Sequence, residues 1–155
     1  MIMIRKAGES DRAGLLTIVA AQDNFTVLER EIAEEVIDDG LTGKDDYEII
    51  VAGEPGGQLV GFICFGPIPL TDCSFDLYWI ATLPIHGRQG IGGRLLVAME
   101  EELRRTKAVV YIDTSSTPGY DKARAFYEKH GYQVAASLKD FYHPGDDRII
   151  YRKAL

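Results

Sequence analysis

A β-rich run, Leu77-Tyr78-Trp79-Ile80-Ala81-Thr82, leads past Pro84 into Gly87-Arg88-Gln89-Gly90-Ile91-Gly92-Gly93 and then into Arg94-Leu95-Leu96, where a helical pattern opens. Strand, glycine turn and helix in direct succession leave little freedom, because the strand must lie in a sheet and the helix must pack back across it. Glycines clustered at a helix start leave backbone N–H groups uncovered and aimed at one place, where the helix dipole also favours an anion. A pyrophosphate fits such a spot. The glycine order is not the G-x-G-x-x-G of a dinucleotide site, and no Lys followed by Ser or Thr completes a nucleotide triphosphate loop. Taken alone, the same glycines also serve to allow a tight turn and close helix packing, so the rest of the chain decides between the two readings.

The flanking sequence sets this unit in a mixed arrangement of strands and helices. Met1 to Ala7 starts with alternating apolar residues and reads as a first strand; Ser10 caps the helix that follows, with Leu15, Leu16, Ile18 and Val19 as its apolar face. A second helix is expected from Thr26 to Asp38, with Gly40 past its end. Tyr47 to Ala52 and Leu59 to Phe65 are β-rich and separated by Glu54-Pro55-Gly56-Gly57, which predicts a hairpin. Gly66-Pro67-Ile68-Pro69 turns the chain into a strand from Ser74 to Thr82. A helix from Ile91 to Arg105, a buried strand from Ala108 to Ile112 and a helix from Asp121 to Lys129, ended by Gly131, then alternate. Tyr132 to Leu138 and Arg148 to Tyr151 supply two more strands, joined through His143-Pro144-Gly145-Asp146-Asp147. The sum is a single domain over residues 1–155 of the α/β or α+β class, with a mixed sheet of about six or seven strands flanked by about four helices.

A formal net charge of -7 argues against a nucleic-acid surface and suits a cationic partner. Glu29, Glu31, Glu34, Glu35, Asp38 and Asp39 form either a solvated helix face or an attractor for such a partner. Apolar runs such as Leu15 to Ala21 fall far short of the ~20 residues of a membrane span, and the N-terminus lacks the order of a secretory signal. The expectation is a cytoplasmic protein in contact with neither membrane nor nucleic acid. Cys64 and Cys73 face each other only if the hairpin around Gly66 to Leu70 is symmetric; two packed, reduced thiols are the plainer reading. His86, His130 and His143 lie far apart without a carboxylate pattern, so no metal is expected.

Gly90-Ile91-Gly92 followed by Gly93-Arg94-Leu95-Leu96 resembles the GNAT acetyltransferase family, whose hallmark is a strand ending near a Pro, a [QR]-x-x-G-x-[GA] loop and a helix opening with Leu-Leu. The family's Gln or Arg falls on Gly87, with Arg88 and Gln89 one and two places later. A second stretch, Tyr120-Asp121-Lys122-Ala123-Arg124-Ala125-Phe126-Tyr127-Glu128-Lys129-His130-Gly131-Tyr132, is similar to the family's N-x-x-A-x-x-x-Y-x-x-x-G-F, with Tyr120 in place of the Asn. The resemblance implies acetyl-CoA as cosubstrate. Its pantetheine arm would bond to the main chain of Ile80, Ala81 and Thr82, and its pyrophosphate would sit on the loop of Arg88, Gln89, Gly90, Ile91, Gly92 and Gly93. It also implies direct transfer of the acetyl group to an amine, on a small molecule or a protein N-terminus, and a homodimer in many members.

Such a transfer needs a neutral amine, a stabilised carbonyl oxygen and a proton for the departing thiolate. Tyr127 matches the family tyrosine that protonates the sulfur; its other reading is an amphipathic core residue, since Ala123, Phe126, Tyr127 and His130 share one helix face. For the base, Asp113 at the end of the buried strand is preferred, Asp76 on the preceding strand is the rival, and a water is the third candidate. A non-catalytic CoA-binding sensor or partner module keeps the same cofactor segment and is the alternative function.

Overall fold

The computed structural model covers residues 1–155. Strands β1 (Met3–Lys6), β2 (Glu48–Gly53), β3 (Leu59–Pro67), β4 (Ser74–Thr82), β5 (Val109–Ser115), β6 (Gln133–His143) and β7 (Asp146–Ala154) form one seven-stranded sheet in the order β1-β2-β3-β4-β5-β7-β6. Every neighbouring pair is antiparallel except β4 and β5. Helices α1 (Arg12–Ala20) and α2 (Val27–Thr42) cover one face of the sheet, and α3 (Ile91–Arg104) and α4 (Asp121–Lys129) the other.

Covering both faces explains the near-continuous apolar runs of β2 and β3, whose successive side chains point to opposite cores. Ile50, Ala52, Ile63 and Phe65 enter the core under α3, while Ile49, Val51, Phe62 and Cys64 enter the one under α1 and α2. Burial pushes the Cys64 thiol up to about 12, so it stays protonated and inert. Helix α3 presents Leu95, Leu96, Met99 and Leu103 to the sheet at helical spacing.

The feature on which the site depends lies between β4 and β5. Their parallel pairing holds only for Ser74↔Val109, Phe75↔Val110 and Asp76↔Tyr111. Beyond that, β5 continues alongside β7 as far as Ser115↔Arg148, and β4 stays with β3 as far as Thr82↔Gly61. The sheet therefore splits into two leaves joined at one end. A bulge in β4 accompanies the split: Leu77 opposes Phe65 and Trp79 opposes Cys64, so Tyr78 is the extra residue. Its ring meets Tyr47 edge-on at 5.1 Å.

Several local expectations are corrected. Helix α2 runs through Gly40 to Thr42 and ends at Gly43, φ +70°; Gly40 belongs to its interior because a Cβ there would lie 3.0 Å from Ile49 Cδ1, so glycine permits the helix to touch β2. Ser10 does not cap α1. It sits in a 3-10 turn, Glu9–Asp11, where Asp11 accepts from the Gly8 N–H at 2.8 Å and pairs with Arg5. Strand β5 continues past Ile112 to Ser115, so Asp113 lies within the strand and not at its end. The final hairpin is longer than expected, with β6 reaching His143. Cys64 lies opposite Trp79, so it does not face Cys73, and both thiols are free. No helix is long and apolar enough to cross a membrane.

One ion pair ties the second leaf to α3. Glu100, 5% exposed, accepts from the Tyr132 hydroxyl at 2.9 Å and from Lys153 Nζ at 2.9 Å. Lys153 also donates to the His130 carbonyl at 2.8 Å, just past α4. Lys153→Met leaves this carboxylate without its cation and is expected to cost about 3 kcal/mol, the low end for a broken buried pair because Lys153 keeps part of its surface in water. Thermal melting should fall by roughly 6–12 °C, and adding Glu100→Gln, which still accepts from Tyr132, should recover part of the loss.

Candidate active site

Two clefts open where the leaves part. The larger, of about 930 Å³, runs from the bare edge of β4 to the start of α3 and is lined by Ile80, Ala81, Thr82, Arg88, Gly90 and Gly92, among others. That volume falls at the upper end of ordinary ligand pockets, ~300–1,000 Å³. Past Asp76, β4 has no strand partner on this side, so its main chain is free to bond to a ligand that lies along it.

The glycine turn creates the floor. Gly90 caps α3 at φ +72°, a left-handed conformation that a side chain would disfavour. The first protein acceptor used by the helix is Gly90 O, taken by Arg94 N at 3.1 Å. The N–H groups of Gly90, Ile91, Gly92 and Gly93 find no acceptor in the protein, so four donors are left open at the positive helix end, where Gly90, Gly92 and Gly93 line the cleft. Arg88, Arg94 and Lys129 line the same cleft against one carboxylate, Glu101, which makes it locally cationic in an acidic protein. A polyanion with a long arm fits this arrangement.

The second cleft, about 470 Å³, lies on the α2 side and is lined by residues that include Tyr78, Trp79, Asp113, Thr114, Tyr120 and Tyr142. Ile80, Ala123 and Tyr127 line both clefts and form the wall where they meet. Helix α4 is held there by Arg124, whose guanidinium donates to the carbonyls of Ser115 and Thr117 just beyond the parting strands. Tyr127 is 8% exposed, packs edge-on against Phe126 and makes no hydrogen bond within the protein through its hydroxyl. Burial pushes its phenol well above the usual range, so it carries its proton at any physiological pH.

The residues singled out from sequence fall unevenly on this geometry. Ile80, Ala81, Thr82, Arg88, Gly90, Gly92 and Gly93 line the large cleft. Gln89 and Ile91 do not: the Gln89 side chain meets His86 Nδ1 at 3.0 Å, and Ile91 is buried in the core, leaving only its N–H at the cleft. Asp113 lines the second cleft, with Oδ2 accepting from Arg148 at 2.7 Å and Oδ1 unpartnered. Asp76 lines neither. Burial first, and then Asp113, push its carboxyl above the ordinary range against the pull of Arg148, but the residue is in the lining of neither cleft. The cleft also contains Arg94, Val97, Ala98, Phe126 and His130, which the sequence reading did not assign to a ligand. Their spacing along α3 and α4 carries that signal, since a helix face that meets a ligand looks like one that meets a core.

The acetyltransferase (GNAT) domain family model matches residues 45–134, which contain the bulged strand, the glycine turn and the Tyr127 helix. The chain belongs to the GNAT acetyltransferase family. Among solved structures, one from Desulfovibrio desulfuricans assigned to the GNAT family is similar over 99% of both chains, at 33% identity and a TM-score of 0.94. The ribosomal-protein-S18-alanine N-acetyltransferase of Escherichia coli shares the fold at 22% identity and TM-score 0.78, over 99% of this chain and 94% of that one. An aminoglycoside 6'-N-acetyltransferase complexed with coenzyme A does so at 17% identity and TM-score 0.75, over 98% and 96%. No curated protein sequence matches. Within the GNAT frame the free N–H groups of the α3 start are the test of cofactor fit. A Cβ at Gly92 would only touch the Phe126 ring at 3.5 Å, so the backbone tolerates a side chain there, whereas the branches of a valine enter the cleft. Gly92→Val should remain folded and lose at least tenfold in acetyl-CoA affinity by calorimetry, a loss of about 1.4 kcal/mol or more; wild-type affinity would move the pyrophosphate elsewhere.

Proposed function

We propose that this single domain is an N-acetyltransferase that takes acetyl-CoA in the large cleft and an amine in the smaller one, and that transfer occurs by direct attack at the Tyr127 wall between them. The observation that carries this reading is that Tyr127, a buried phenol with no protein partner for its hydroxyl, borders both clefts. Pyrophosphate would accept from the N–H groups of Gly90 to Gly93 with Arg88 nearby, and the pantetheine arm would lie along Ile80, Ala81 and Thr82. The amine nitrogen attacks the thioester carbonyl, the C–S bond breaks, and the sulfur takes the proton of the Tyr127 hydroxyl. The proton shed by the nitrogen passes to Asp113 or to water, and the Tyr127 phenolate takes a proton back from solvent, which restores the starting state.

Burial raises the Tyr127 phenol and so keeps it protonated, which leaves it able to donate to a thiolate as it departs. Holding both reactants at one seam supplies much of the rate without further side chains. Tyr127→Phe removes one oxygen and keeps the ring packing. Turnover should fall roughly ten- to ten-thousand-fold with acetyl-CoA affinity little changed; a stable variant at full rate would leave Tyr127 as a packing residue. If acetyl-CoA binds but no amine releases CoA, the chain is a binding module.

Asp113 is the carboxylate best placed for the incoming amine, because its Oδ1 is free while Oδ2 is held by Arg148. Asp113→Asn should lower kcat/KM for a charged amine about three- to thirtyfold. An unchanged value would give the proton to water, since Asp76 stands outside the cleft.

A further inference from the structure

The second cleft has a chemistry of its own. Its lining includes three carboxylates, Glu29, Asp113 and Asp146, and no Lys or Arg. Each carboxylate is fixed through one oxygen and free at the other. Glu29 Oε2 accepts from Thr26 N at 2.7 Å in the cap of α2, Asp146 Oδ1 accepts from Ser115 Oγ at 2.5 Å, and Asp113 Oδ2 accepts from Arg148. The unpartnered oxygens are Glu29 Oε1, Asp146 Oδ2 and Asp113 Oδ1. Two arginines stand behind the lining and are already engaged: Arg148 pairs with Asp113 and lies over the Phe141 ring, 5.0 Å from its guanidinium carbon, and Arg124 donates to the Ser115 and Thr117 carbonyls and pairs with Asp121, while His143 is the one imidazole in the lining.

Aromatic rings fill the space between these charges. Tyr78, Trp79, Tyr120 and Tyr142 line the cleft. Glu29 and Asp146 both help to raise the Tyr120 hydroxyl, and Asp113, Asp146 and Glu29 all help to raise that of Tyr142, each after burial as the leading cause, so rings and carboxylates lie within one electrostatic neighbourhood. An independent observation points to a ligand: Thr114, 5% exposed, lines the cleft with a buried Oγ1 that has no hydrogen-bond partner. A buried hydroxyl without a partner is costly and rare. A turn of the Thr114 side chain would bring this oxygen to an ammonium or amine in the cleft that Tyr127 also lines.

We infer that the acceptor is a small aliphatic amine carrying a second ammonium group, a diamine or polyamine, with the reacting nitrogen at Tyr127 and Thr114 and the distal ammonium among Glu29, Asp146 and the rings of Tyr120 and Tyr142. This rests on the acetyl-transfer reading above and names the substrate class of the same site. A flexible methylene chain suits an aromatic-walled cleft of about 470 Å³, and an ammonium over aromatic faces with carboxylates beyond gains from both. A neutral or singly charged acceptor would leave at least one free carboxylate oxygen facing a cleft without a cation.

The test compares 1,4-diaminobutane and spermidine with butylamine, an alanine-terminated peptide and an aminoglycoside, following CoA release with a thiol reagent. Calorimetric titration of each amine into the CoA-loaded protein runs in parallel. The diamine or polyamine should exceed butylamine at least tenfold in kcat/KM and in affinity. Glu29→Gln and Asp146→Asn, which keep the anchoring hydrogen bonds and so the fold, should raise KM for the diamine at least tenfold and shrink its advantage over butylamine toward unity. Turnover of butylamine, peptide or aminoglycoside at or above the diamine rate overturns the inference while leaving acetyl transfer intact. Preferential diamine binding without CoA release in any assay supports the cleft assignment and overturns the transfer reading instead. Equal diamine and butylamine affinity with no turnover overturns both.

Discussion

The parting of β4 from β5 is the constraint on which the rest of the molecule depends. Two parallel strands that pair for only three residues would ordinarily leave a row of buried main-chain groups unsatisfied. Here each leaf keeps its outer neighbour, β4 with β3 and β5 with β7, so only the facing edges are bare. Those edges line the two clefts: one leaves the main chain of β4 bare along the larger, and the other carries Asp113, Thr114 and Ser115 into the second. The bulge at Tyr78 belongs to the same event, because an extra residue turns the strand and changes which side chains face the gap.

The charge distribution divides along the same seam. A protein of net charge -7 places Arg88, Arg94 and Lys129 together on the side of the glycine turn, and Glu29, Asp113 and Asp146 on the other. An anionic cosubstrate and a cationic acceptor would therefore arrive from opposite faces, each drawn by local charge and discouraged from the other's cleft. Tyr127, Ile80 and Ala123 form an apolar wall between them, and burial keeps the Tyr127 phenol neutral.

The outer leaf is held by polar contacts as well as by the burial of Val110, Ile112, Tyr132 and Tyr151 in the core under α3. Strand β6 is exposed along almost its whole length at the sheet edge, and Val134, Leu138 and Phe141 are among the large apolar residues left open to solvent. The polar contacts to α3 and α4 are the Glu100–Tyr132–Lys153 cluster together with the Tyr151–Glu128 bond at 2.8 Å. Since α4 carries Tyr127, the Tyr151–Glu128 bond and the Lys153–His130 bond tie the helix that bears the phenol to this leaf.

The sequence alone was enough for the family, the element order and the cofactor-facing turn, because those rest on local physics: apolar period, glycine at a helix start, Leu-Leu after it and Tyr127 at a fixed spacing behind. Gly90, Gly92 and Gly93, which line the large cleft, were also legible, since uncovered N–H groups are a property of the turn itself. Errors arose wherever a residue's role depends on a neighbour distant in the chain. Gly40 looks like a helix end until β2 is seen pressed against it, and Ile91 looks like a loop contact until its side chain is found in the core. Asp113 looks like a free strand-end carboxylate until Arg148 from β7 is found bonded to it. Of the second cleft only Asp113, Tyr127 and the acidic run containing Glu29 were legible, and not that they share a wall. Glu29, Thr114, Tyr120 and Asp146 come from four separate segments, and only the splitting of the sheet brings them to one wall. Local periodicity records which face of an element is buried, not which elements stop pairing, and in this protein the end of that pairing makes the site.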